Sequence, residues 1–61
     1  MNLQVIFEYM FSRYCVANGV EWNKAREISL DVLKDMVDKQ ITYDAVVKAM
    51  DLLDTKIQQA K

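Results

Sequence analysis

The stretch Ile6–Cys15, IFEYMFSRYC, decides how this chain can fold. Read as a helix at about 100° per residue, its apolar residues divide between two sides. Leu3, Phe7, Met10 and Tyr14 make one stripe at i, i+4, i+7 and i+11, flanked by Ile6 and Phe11. Val5, Tyr9, Ser12 and Val16 make a second stripe at the same spacing, roughly 160° away. Glu8 and Arg13 are the only charges in this segment, and five of the six aromatic residues fall between Phe7 and Trp22. A helix that is apolar nearly all round normally has neighbours on every side.

The rest of the chain is too short to supply them easily. Sixty-one residues make one domain. Folding such a chain removes roughly 6,000 Å² from water. With about 60% of it apolar, burial contributes about 90 kcal/mol. Ordering the chain at about 1.5 kcal/mol per residue opposes this with about 90 kcal/mol. A lone protomer is therefore expected to be marginal. Cys15 is the only cysteine, so no disulfide closes within the chain, and the absence of histidine removes the usual zinc sets. Self-association is the remaining device. An unpaired thiol also suits a reducing compartment, so a cytoplasmic location is expected.

Nine acids and eight bases leave a net charge of −1. This balance exerts no long-range attraction on nucleic acid or anionic lipid. No apolar run approaches the roughly 18 residues of a membrane span. The first segment lacks the basic start of a signal peptide, and Glu8 and Arg13 interrupt it.

Breaks are few, because the chain has no proline and a single glycine. Asn18-Gly19 is the clearest, since glycine accepts the left-handed conformation that ends a helix. Asn-Gly also suits a hairpin turn, but strict alternation is missing on both sides. A weaker break falls at Lys39–Thr42, KQIT, where Thr42 can cap a new helix and Asp44 favours its first turn. The expected fold is an all-α three-helix bundle with helices at about 2–17, 21–38 and 43–59. Helix three places Tyr43, Val46, Val47, Met50, Leu53 and Ile57 on one arc, with Asp44, Lys48, Asp51 and Lys56 elsewhere. Helix two turns Trp22, Ala25, Ile28, Val32, Leu33 and Met36 inward, and Leu30 and Val37 widen its arc. Short connections make neighbouring helices run antiparallel.

Two companion helices cover only part of helix one, so its second stripe is expected to meet another chain. The contact set is Val5, Tyr9, Phe11, Ser12 and Val16, with Trp22 as an edge anchor. Self-pairing into a two-fold homodimer is the commonest such arrangement. In the competing arrangement, helix one is central, helices two and three wrap it, and Tyr9 and Ser12 are boundary residues.

The sequence offers little to catalysis. It has no histidine to serve as a base near neutral pH. Cys15 has no fixed general base beside it on its helix and reads as a packed thiol. No phosphate loop, metal motif or nucleotide fingerprint occurs, and no cofactor is expected. The acids are more suggestive. Asp31, Asp35 and Asp38 follow i, i+4, i+7 on helix two, and Asp44, Asp51 and Asp54 lie on a strip of helix three. Together they could face a basic partner. Lys34 and Lys48 interrupt both strips, however, and Asp35 with Lys39 and Asp44 with Lys48 have the favourable order of local ion pairs, as on a solvated face.

DNA reading by a helix-turn-helix is the alternative class, since many such domains are small three-helix units. Asp44 and Asp51 on the would-be recognition helix repel phosphate, and the only arginines are Arg13 and Arg26. The reading favoured by the residues is a non-enzymatic helical interaction module, a regulator or inhibitor that binds a protein and pairs with itself.

Overall fold

The computed structural model describes residues 3–36 and 41–60. It contains α1 (Leu3–Ala17), α2 (Trp22–Met36) and α3 (Tyr43–Ala60), with no strand among the described residues. The expected helix start at Asn2, the end of helix two near Asp38, and Val37, Lys39 and Gln40 lie outside the described residues.

The stop of α1 is where Asn-Gly predicts it. Gly19 has φ 92°, a conformation that costs glycine little. The Gly19 N–H donates to the Val16 carbonyl at 3.0 Å, and the Val20 N–H to the Cys15 carbonyl at 3.0 Å. This bond pair is the Schellman closure, which satisfies carbonyls the helix itself cannot. It also turns Val20 into the core. One residue later, Glu21 starts α2: its carbonyl accepts from Ala25 N–H at 2.8 Å, and its carboxylate from Asn23 N–H at 3.1 Å. Thr42 caps α3 as expected, accepting at Oγ1 from the Ala45 N–H at 3.1 Å, and Asp44 stands in the first turn.

The helices are not equivalent. Both α1 and α3 pack chiefly on α2, and contact between α1 and α3 is sparse. The central helix is therefore α2, not helix one. Its inward face is largely as predicted, with Ala25, Ile28, Val32, Leu33 and Met36 buried. Trp22, expected inside, lies at the rim and is about half exposed.

The phase of α3 differs from the expected arc. Its buried line is Ala49, Leu53 and Ile57, while Tyr43 is 84% exposed and Val47 is also exposed. Ala49 takes a buried position on this line while the larger Tyr43 does not. Lys56, expected outward, is drawn to the edge of the core and reaches Asp31 of α2 at 4.0 Å. No helix among the described residues is long and apolar enough to cross a membrane.

Candidate protein-interaction surface

The surface of interest follows from the way α1 meets α2. The buried residues of α1 are Phe11, Ser12 and Cys15, a narrow seam running between the two apolar stripes. Ser12 and Phe11 therefore belong to the protomer's interior, which corrects their expected place in an external contact. The small side chains of Ser12, Cys15, Ala25 and Ser29 occupy this junction and allow two backbones to approach. Its polar atoms are satisfied internally. Ser12 Oγ donates to Ser29 Oγ at 3.1 Å, and Ser29 Oγ donates to the Ala25 carbonyl at 2.8 Å. Burial pushes the Cys15 thiol up, partly opposed by its hydrogen bond with Ser29. A thiol held protonated and out of solvent is a weak nucleophile.

A seam that narrow leaves both stripes of α1 partly in water. Leu3 is 57% exposed, Val5 55%, Tyr9 60% and Met10 55%. Leu3 and Met10, expected to line a core stripe, stand outside the protomer's packing. Phe7 and Tyr14 of the same stripe are half-buried against the core, as is Val16 of the other. The phenol of Tyr14 bridges to α3, donating to Asp54 Oδ1 at 2.6 Å. That hydrogen bond, followed by desolvation and the nearby negative charge of Asp54, raises the Tyr14 pKa above its ordinary value.

On the opposite flank of α1, α2 completes a two-helix face. Val5, Glu8, Tyr9 and Ser12 line a shallow groove with Trp22 and Arg26. A second groove continues from it through Val5 and Glu8 to Leu30, Leu33 and Lys34. The face thus carries Val5, Tyr9, Trp22 (42% exposed) and Leu30 (45% exposed). Across it, Arg26 donates to Glu8 Oε1 at 3.3 Å. Compared with known protein families, curated proteins and solved structures, the chain matches none.

Of the expected contact residues, then, the fold brings Val5, Tyr9 and Trp22 together on one exposed face. Leu30 and the Glu8–Arg26 pair belong to the same face and were not singled out from sequence. Leu30 sat at the edge of a wide apolar arc, the only sequence signal for it. Nothing local in the chain pairs residues 8 and 26.

The acids are dispersed. Asp31 is neighboured by Lys34 at 3.7 Å and Lys56 at 4.0 Å. Asp35 and Asp44 share the α2–α3 cleft with Lys48, and Asp54 is engaged by Tyr14. Asp51 is exposed, and its backbone carbonyl accepts from the Thr55 hydroxyl at 3.1 Å. Asp38 lies outside the described residues. Among the described residues, no three acids or thiols are grouped closely enough to hold a metal ion.

Proposed function

We propose that this chain is a non-enzymatic helical interaction module of the cytoplasm, which regulates or inhibits a protein by packing helices against it and which also pairs with itself. One observation carries the reading: four large apolar side chains of α1, Leu3, Val5, Tyr9 and Met10, are each more than half exposed. Scattered exposed apolar residues are ordinary. Of the four on this 15-residue helix, Val5 and Tyr9 continue onto Trp22 and Leu30 of α2 as one grouped surface of the kind that binds proteins, and Leu3 and Met10 are exposed on the opposite flank. Tyr and Trp suit the centre of such a contact, because they give large rigid area with a polar tip. The charges around them are largely paired across or along the helices, as on a rim that sets orientation rather than affinity.

Affinity capture from a host extract, with and without nuclease, tests this reading. The expected result is a protein captured equally in both, resistant to moderate salt, and lost with Tyr9→Asp or Met10→Asp. Capture that vanishes with nuclease and falls steeply with salt would contradict it in favour of nucleic-acid binding.

A further inference from the structure

We infer that α3 is a strap: it opens from α2 as a unit while α1 and α2 stay docked, and its opening uncovers an apolar line of α2 that the closed protomer hides. This goes beyond the reading above and does not depend on it, since it concerns the α2–α3 seam rather than the exposed flanks of α1.

The two seams on α2 are closed differently. Towards α1, contact is extensive, Ser12, Cys15, Ala25 and Ser29 are out of solvent, and both hydroxyls are bonded inside the junction. The link between these two helices is packed as well, with Val20 buried and tied by its N–H to the Cys15 carbonyl. Grooves flank this seam, but they run beside a junction that is itself closed to water.

Towards α3, contact is less extensive. No residue from Tyr43 to Lys48 is buried, so α3 is seated by the later line Ala49, Leu53 and Ile57, with Met50 and Leu52 half-buried beside it. Near the start of α3, a recess of about 580 Å³ lies between Val32 and Met36 of α2 and Ala45 and Leu52 of α3. The polar ties that hold α3 are exposed ones. Lys56 reaches Asp31 at 4.0 Å, and pairs of that kind contribute little. Tyr14 clasps Asp54 from α1 at 2.6 Å.

An element with few buried contacts and exposed ties opens at lower cost than the rest of the fold. Val32 and Met36 are buried while α3 is seated, and both line its recess, so they are brought to water when it leaves. A protein that binds this uncovered line selects the open form, and the seating of α3 then sets how much of the chain is competent to bind it.

Amide hydrogen exchange of the full chain, read by NMR, tests the strap without any variant. With intrinsic rates divided out, the amides of Leu53 and Ile57 are expected to exchange about tenfold or more faster than those of Cys15 and Ser29. Tyr14→Phe, which unfastens the clasp, should speed the α3 amides further and leave those of Cys15 and Ser29 nearly unchanged. Equal protection in all three helices of the wild type, or greatest protection in α3, would overturn the strap, because the protomer would then open only as a whole. A Tyr14→Phe chain whose exchange rises equally in all three helices would overturn the role of the clasp.

Discussion

The two sides on which α1 meets its neighbours differ in kind. Towards α2 it presents Ser12 and Cys15, which sit against Ala25 and Ser29 in a junction with its hydroxyls bonded internally. Towards α3 its contact is sparse and is held at one point by the Tyr14–Asp54 hydrogen bond. Docking on α2 through small residues fixes α1 closely, but a close seam is also a narrow one. The larger side chains of α1 are left on either side of it. The apolar surface that α1 leaves exposed is therefore a consequence of where the protomer places its smallest residues.

This contrast can be broken experimentally, and the strongest test compares two sequence neighbours. Phe11 is buried and Met10 is not. Phe11→Ala should cost about 3–5 kcal/mol, enough to unfold a marginal domain, whereas Met10→Ala should stay near 0.5 kcal/mol. Thermal unfolding by circular dichroism reads both. Similar costs would mean that α1 is not rotated as described. Next in size is Ser29→Leu, which overfills the α1–α2 seam and strands the Ser12 hydroxyl, for a loss of about 3 kcal/mol. Ser29→Ala should be milder, about 1 kcal/mol, since it leaves the Ser12 hydroxyl without its acceptor but overfills nothing. A smaller effect is expected from protein concentration alone. If association covers the Val5–Leu30 face, the unfolding midpoint should rise with concentration by mass action, and Val5→Asp should abolish that rise.

The α3 side gives the gentlest prediction, and its sign follows from the raised Tyr14 pKa. A phenol whose folded pKa lies above its unfolded value favours folding fully below about pH 10. That contribution disappears as pH rises through the folded value. Cys15, also raised, acts in the same direction from about pH 9 upward. Midpoints measured from pH 8 to 11 should therefore decline at the alkaline end. Tyr14→Phe should flatten the upper part of that decline while shifting the neutral-pH midpoint less than Ser29→Leu does. An unchanged alkaline slope in Tyr14→Phe would show that the α1–α3 bridge does not form.

Much of this architecture was legible in the sequence. Gly19 and Thr42 sit where a helix must stop and start, because each supplies a backbone or capping requirement that other residues meet poorly. The inward face of α2 was legible because its large apolar residues and its charges occupy opposite sides. Helix one and helix three resisted reading for one shared reason. Apolar bulk indicates what must leave water, but the line of closest approach between helices belongs to small residues. In α1 that line runs through Ser12, a member of the stripe expected to meet another chain, and Cys15, which belongs to neither stripe. In α3 the buried line runs through Ala49, Leu53 and Ile57, and Tyr43 and Val47 lie outside it. The two-sidedness of α1 was visible, and its second stripe pointed to Val5 and Tyr9, which are exposed, whereas Trp22 reads both as an inward residue of helix two and as an edge anchor and lies at the rim. Glu8 and Arg26 were not singled out, since only the packing of α1 on α2 brings residues 18 positions apart together.

Sedimentation equilibrium of wild type beside Tyr9→Asp most directly tests whether that exposed flank joins two copies. The account predicts that wild type moves from its 7.1 kDa protomer mass towards twice that value with rising concentration, and that the variant stays folded and monomeric. A wild type that never exceeds the protomer mass, or a Tyr9→Asp chain that associates equally well, would contradict it.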